Sequence, residues 1–262
     1  MNTNRSLARI LFPRCMRSLT AAAVLLLAGA APAAIIHVSH SGATDPATEG
    51  FTFLTGSNWN DTSEAVTNDP VGGFDAWKIA DADADGTNDT GRFDAAIDPS
   101  VDSLAASDGW VLRARARAVS SNGVAANFIS YGDSNFNGRH TLDLGVDGSG
   151  NAVVTVNFTG GDESYNTGKS GYVLYELVRD PNEDTSNVVD LFVDGSEVLS
   201  NVAAGTFDQN NLLFGDQTSG STGGANYNLV EFQTGTTIIP EPTTFTLLLL
   251  GGLILLSRRR RA

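Results

Sequence analysis

The chain has 262 residues, with 16 basic and 30 acidic side chains and a formal net charge of −14. That charge repels nucleic-acid phosphates and anionic membrane surfaces, and it favours solubility and cations. The one cysteine, Cys15, excludes an internal disulfide.

The N-terminus carries Arg5, Arg9, Arg14 and Arg17 without an acidic residue, then an apolar stretch from Leu19 to Ala31, then Ala31-Pro32-Ala33-Ala34. A basic start, a short apolar core and small residues form the three parts of a secretory signal peptide. A retained anchor needs about 20 apolar residues, so residues 1–34 are expected to be cut off after Ala33 or Ala34. Cys15 precedes the apolar core and leaves with it, which argues against a lipoprotein. Of the 16 basic residues, four lie in this leader and four in the last 23 residues, leaving eight; of the 30 acidic residues only Glu241 lies in that tail. Residues 35–239 therefore carry a net charge near −21.

Residues 35–73 contain an early strand candidate at Phe51-Thr52-Phe53, while His37 and His40 read as part of a frayed new terminus. Trp59, set among Ser57-Asn58 and Asn60-Asp61, is a candidate exposed platform for stacking a sugar; Trp77 and Trp110 read as core. Next comes Asp81-Ala82-Asp83-Ala84-Asp85-Gly86-Thr87-Asn88-Asp89. Carboxylates at alternate positions around a glycine turn converge on a hard cation. Asp81, Asp83 and Asp85 would give side-chain oxygens, Thr87 a carbonyl, and Asp89 a direct or water-mediated contact to calcium. The stretch resembles the first nine positions of an EF-hand-like or thrombospondin type 3 loop, but Arg92 stands where an EF-hand has its bidentate acid. A solvated acidic loop is the competing reading.

From Trp110 to Val119 the chain alternates: Trp110, Leu112, Ala114, Ala116 and Ala118 on one face, Val111, Arg113, Arg115, Arg117 and Val119 on the other. This is the period of a half-buried strand. The arginine stripe is expected to pair with acidic neighbours on adjacent strands; the alternative is a site for an acidic polysaccharide. Thr141 to Val146 and Ala152 to Phe158, joined by Asp147-Gly148-Ser149-Gly150, predict a hairpin. Tyr172 to Val178 and Val188 to Val193 predict a second pair, and Asp194-Gly195 turns the chain into Glu197-Val198-Leu199. Further strands are expected at Leu212 to Phe214 and Ala225 to Gln233. No stretch shows a sustained helical period. The expectation is an all-β chain.

The tail holds Pro240-Glu241-Pro242, an apolar segment from Thr243 to Leu256, and Arg258-Arg259-Arg260-Arg261. By the positive-inside rule the arginines stay cytoplasmic and the preceding chain lies outside the inner membrane. The order triplet, single short transmembrane helix, arginine cluster resembles the PEP-CTERM sorting signal, over residues 240–262. The resemblance implies recognition by an exosortase after passage through the Sec export machinery, and a bacterium that makes exopolysaccharide. Its implied destination is the cell surface or the extracellular matrix, after a stage anchored in the inner membrane.

Asp190-Leu191-Phe192-Val193-Asp194-Gly195, Leu213-Phe214-Gly215-Asp216, Gly224-Ala225-Asn226-Tyr227 and Val230-Glu231-Phe232, taken with Gly109-Trp110, are similar to the concanavalin A-like, laminin-G-like jelly roll. The resemblance covers about residues 74–233 and implies a β-sandwich. That fold also hosts glycoside hydrolases, which need two carboxyl groups flanking the scissile bond. The Glu-x-Asp-x-x-Glu strand of the glucanase branch is missing, and Glu176 stands alone in Tyr172-Val173-Leu174-Tyr175-Glu176. The three histidines lack metal-ligand spacing beyond the His37/His40 pair, no serine sits in a nucleophile elbow, and no phosphate loop opens a helix. The reading is a non-catalytic carbohydrate-binding or structural sandwich with extracellular polysaccharide as partner and no nucleic acid; the alternative is a secreted polysaccharide hydrolase.

Overall fold

The computed structural model describes residues 34–56, 62–81, 90–121, 127–133, 138–158, 161–181, 188–203, 205–206, 210–216 and 222–235. Residues 1–33 of the expected signal segment, Trp59, Asp83, Asp85, Thr87, Asp89, and the tail from Pro240 to Arg261 lie outside the described residues. Among the described residues no helix is long and apolar enough to cross a membrane.

Two antiparallel sheets make the fold. In chain order the strands are β1 (Ile35–Ser41), β2 (Thr52–Thr55), β3 (Thr62–Val66), β4 (Ala76–Asp81), β5 (Gly91–Ala96), β6 (Trp110–Ser121), β7 (Asn127–Asp133) and β8 (Gly138–Val146). They continue with β9 (Ala152–Phe158), β10 (Gly161–Asn166), β11 (Val173–Arg179), β12 (Val188–Val193), β13 (Ser196–Ala203), β14 (Gly205–Thr206), β15 (Asn211–Asp216) and β16 (Gly223–Thr234). The first sheet runs β13-β12-β11-β6-β16-β4-β3, and β1 pairs with the later half of β16. The second runs β10-β9-β8-β7-β15-β5-β2, with β14 beside β8.

One core fills the space between the sheets. Trp110, Leu112, Ala114 and Ala116 of β6 are fully buried there, as their alternation requires. Tyr175 and Leu177 of β11, Tyr227 and Phe232 of β16, Ile129 and Tyr131 of β7, and Phe214 of β15 meet them. The aromatic rings pack edge-on or tilted: Trp110 meets Tyr131 at 4.9 Å and 72°, and Tyr131 meets Phe232 at 4.2 Å and 31°.

Both expected hairpins form, with Leu142 opposite Val156 and Leu177 opposite Leu191. Asp194 and Gly195 take φ of 50° and 78°, the paired positive values that a two-residue type I′ turn needs. In the β8–β9 turn, Asp147 accepts from the backbone N–H of Ser149 and Asn151, both at 2.8 Å, and from the Asn166 amide at 2.7 Å.

Two expectations need correction. A helix, α1 (Pro99–Asp108), stands where no helical period was seen. Its ends are well signalled: the Asp98 side chain accepts from Ser100 N at 2.8 Å, Pro99 opens the first turn, and Gly109 closes the last at φ 78°. Its faces are not signalled, because only Asp102 and Ala105 are buried. Polar contacts seat it instead. The Tyr131 hydroxyl donates to Asp102 at 2.8 Å, and Arg179 donates to the carbonyls of Ala105 and Ala106, both at 3.2 Å. A cation at a helix C-terminus is favoured by the macrodipole and by the last, otherwise unpaired carbonyls.

The N-terminal segment is not frayed either. His40 is fully buried on β1, its ring stacked on Phe214 at 5.4 Å. Its Nδ1 lies 2.6 Å from Glu49 Oε2, and its Nε2 lies 3.3 Å from the Tyr227 carbonyl. Ordinary alternation on β1 turns His40 inward, opposite Val230.

Candidate functional site

Each sheet has an outer face, and side chains that alternate with the core residues line it. On the first sheet this face carries the arginine stripe. Arg113 lies in register with Glu176 on one neighbouring strand and Glu231 on the other. Its Nε donates to Glu176 at 2.9 Å and its terminal nitrogen to Glu231 at 3.3 Å. All three are nearly buried, at 5%, 2% and 6% exposure. Burial raises the Glu231 carboxyl, with Arg113 pulling it down and the Glu176 charge pushing it up.

The other arginines of the stripe are also engaged. Arg115 lies over the Phe74 ring at 4.9 Å and donates to the side-chain amide oxygen Oδ1 of Asn228 at 3.2 Å. Arg117 donates to Asp69 at 2.8 Å. The same carboxylate takes Asn226 at 2.5 Å, Tyr172 at 3.0 Å and the Val71 N–H at 2.8 Å. Burial alone would raise Asp69, but these hydrogen bonds outweigh it and hold its pKa low. The expected pairing with acids on adjacent strands is found at Arg113, whereas Arg117 pairs with Asp69 of the β3–β4 loop, and the face is a cross-linked polar network.

The outer face of the second sheet is built differently. Arg92 and Asp94 project from β5, Leu213 and Gly215 from β15, Phe128 and Ser130 from β7, and Arg139, Thr141 and Asp143 from β8, each alternating with core residues. Register places Arg92, Gly215, Phe128 and Asp143 in one row and Asp94, Leu213, Ser130 and Thr141 in the next. Phe128, Ser130 and Leu213 form a buried floor. Arg139 Nε donates to Ser130 at 2.7 Å, and its guanidinium lies 5.6 Å from the Phe128 ring centre. Thr141 donates to Ser130 at 3.3 Å. Gly215 holds a φ of 139°, and a Cβ there would lie 2.5 Å from the Gly91 carbonyl oxygen. The β5 backbone thus packs directly against Gly215, and no other residue fits there without moving β5. The half-buried Arg92, Asp94, Arg139, Thr141 and Asp143 thus leave donors and acceptors at the surface of this face, above a floor with almost no exposed area.

Of the residues singled out in the sequence, Trp110 and Trp77 sit in or against the core, as expected. Asp81 ends β4 and is buried at 3% exposure; the rest of the calcium stretch lies outside the described residues, as does Trp59. Among the described residues no three His, Cys, Asp or Glu side chains converge on a metal position. Glu176 does not stand alone: Glu231 lies across Arg113 from it. No local signal joins them, since the Arg113–Glu231 pair spans 118 positions.

No protein-family model matches the sequence, and no curated protein matches it. Among solved structures, a carbohydrate esterase from the Shiga toxin-encoding bacteriophage phi24B is similar over 78% of this chain and 100% of its own, with a TM-score of 0.55 and 12% identity. The likeness is one of fold. A cellulose-induced protein reaches a TM-score of 0.49 at 15% identity, over 78% of this chain and 99% of its own. The β-glucanase of Bacillus licheniformis reaches 0.43 at 12% identity, over 75% of this chain and 98% of its own. Scores this low carry no argument about either protein's relation to this one.

Proposed function

We propose that this chain is an exported cell-surface or matrix protein whose β-sandwich, of the concanavalin A-like and laminin-G-like jelly-roll type, binds carbohydrate without transforming it. The observation that carries this reading is the outer face of the second sheet. There the half-buried Arg92, Asp94, Arg139, Thr141 and Asp143 cover a buried floor of Phe128, Ser130 and Leu213. Fixed donors and acceptors of this kind select sugar hydroxyls. The leader and the PEP-CTERM-like tail support export by Sec and processing by an exosortase. The acidic stretch from Asp81 to Asp89 supports a calcium site. Binding of the full-length chain to a glycan array tests the reading: selective signal on some glycans is expected, and a blank array across all glycan classes would refute it.

One observation favours a second reading, a secreted polysaccharide hydrolase. Glu176 and Glu231 flank one guanidinium, and burial raises the Glu231 carboxyl as a general acid requires. Both carboxylates, however, are held by the same arginine, which neutralises the nucleophile or base that hydrolysis needs. Turnover of a polysaccharide by the wild type that is lost in Glu176→Gln would establish this reading; turnover that survives in that variant would remove Glu176 from it.

A further inference from the structure

The first and last described residues of the sandwich lie side by side. β1 and β16 are antiparallel, with Ile35 opposite Thr234, and Thr234 is in turn opposite Trp110 of β6. The Gly235 N–H donates at 2.8 Å to the carbonyl of Gly109, the residue that closes α1. A Cβ on Gly235 would lie 3.5 Å from the Ala34 Cα. Chain that precedes Ala34 and chain that follows Gly235 therefore start from one corner, where β1, β16 and the end of α1 meet.

Chain length sets how far that corner can stand from a bilayer. Residues 236–242 separate Gly235 from the apolar segment that starts at Thr243, and fully extended they reach about 28 Å. The 12 residues of β6 run from this end, at Trp110, to the other, at Ser121, a length of about 40 Å. The tether is thus shorter than the sandwich is long. The net charge of residues 35–239, near −21, drives the body away from anionic lipid headgroups. One corner is held at the surface while the rest is repelled from it, which stands the strands up from the bilayer. The same end offers apolar side chains to the interface: Ile35 and Ile36 on β1 and Leu104 on α1 are exposed at 53%, 44% and 40%.

We propose that this corner is the membrane-facing end of the anchored precursor, a surface for lipid headgroups formed by Ala34, Ile35, Ile36, Gly235 and the Leu104 side of α1; this rests on reading residues 240–262 as a membrane anchor. Trp110 meets Tyr131, late in β7, and His140, early in β8, both at 4.9 Å. β7 therefore starts at the far end, and β8 runs out to it. The β8–β9 turn from Asp147 to Gly150 then points away from the bilayer. Phe128 is the second residue of β7, so the row it shares with Arg92, Gly215 and Asp143 lies toward that far end too. The candidate glycan face is thereby open to polymer outside the cell while the protein is still anchored, before the tail is cut.

The test uses the full-length chain carrying Cys15→Ser, reconstituted in vesicles of phosphatidylcholine and phosphatidylglycerol with an acceptor dye on a lipid headgroup. A donor fluorophore is attached through Ser107→Cys on α1 or through Ser149→Cys in the β8–β9 turn; both positions are exposed. We expect energy transfer to the bilayer to be several-fold stronger from position 107 than from position 149. Ser107 Oγ donates to the Leu104 carbonyl at 3.2 Å; should its replacement disturb α1, Ser103→Cys on the same helix takes its place. Equal transfer from the two ends, or stronger transfer from position 149, would overturn the membrane-facing corner and leave the anchor standing. A full-length chain that does not join the vesicles would overturn both.

Discussion

Arg113 reaches from the centre of the first sheet to Glu176 on one neighbouring strand at 2.9 Å and toward Glu231 on the other at 3.3 Å. One guanidinium thus ties three adjacent strands together on the face away from the core. Removing one member of such a buried set leaves charge without compensation, which costs about 3–5 kcal/mol. We expect Arg113→Ala to lose that much stability in denaturant unfolding. Replacing all three by apolar residues of similar size should cost far less, because no charge is then stranded. A single Arg113→Ala variant as stable as the wild type would show that the three do not act as a unit.

The pH dependence of stability should have two limbs of opposite sign. Burial raises Glu231 above the ordinary 4.5, so the folded state holds that proton more tightly than the unfolded chain. Its contribution is fully present below the unfolded value and is lost as pH rises through the raised one. Asp69 is held below 3.8, and hydrogen bonds from Asn166 and Asn151 pull Asp147 to about 2. Their contributions are present above 3.8 and are lost as pH falls through the lowered values. Thermal melts across pH should therefore decline on both sides of the carboxylate range, and Glu231→Gln should flatten only the upper limb. An unaltered upper limb in that variant would assign the decline to another group.

Gly215 and Gly150 form a matched pair of glycines with positive φ. Both resist a side chain on conformational grounds, at 139° and 82°, but only Gly215 faces backbone atoms, 2.5 Å and 2.7 Å from where a Cβ would sit. Gly150→Ala should cost about 1 kcal/mol. Gly215→Ala should cost clearly more and weaken glycan binding, since it displaces β5 beneath Arg92. Equal losses in the two would show that close approach at Gly215 has no energetic weight.

Much of the fold was legible in the sequence because one face of most strands is buried. The alternation from Trp110 to Val119 and the turns at Asp147 and Asp194 announced their strands correctly. One strand with both faces covered did not announce itself: β7 buries Ile129 and Tyr131 inward and Phe128 and Ser130 outward, so its sequence has no period. Helix α1 escaped because it is held by Arg179 and Asp102 and not by an apolar stripe. The candidate site was the least legible part. Arg92, Gly215, Phe128 and Arg139 come from four strands that only the sheet order brings together.

His40 shows how a segment expected to fray becomes part of the core. Its ring is fully buried against Phe214 and tied to Glu49. Truncating a buried ring of this size costs about 3 kcal/mol, so His40→Ala should lower the unfolding midpoint markedly. A midpoint equal to the wild type would place β1 outside the cooperative unit.

The sorting and calcium proposals stand on the sequence and have direct tests. Deleting Pro240 to Ala262 should redirect the protein within the cell, and an unchanged distribution with an uncut C-terminus in the wild type would refute exosortase processing. Added calcium should raise the melting temperature relative to chelator through Asp81, Asp83, Asp85, Thr87 and Asp89. Identical melts, with no heat on titration, would remove the ion.

The most direct test is to titrate the isotopically labelled protein with a glycan that binds on the array and follow its backbone amide signals by NMR. We expect the largest shifts at Arg92, Ser130, Thr141 and Gly215, on the outer face of the second sheet. Shifts confined to Arg113, Glu176 and Glu231 would place the site on the opposite sheet and contradict that assignment.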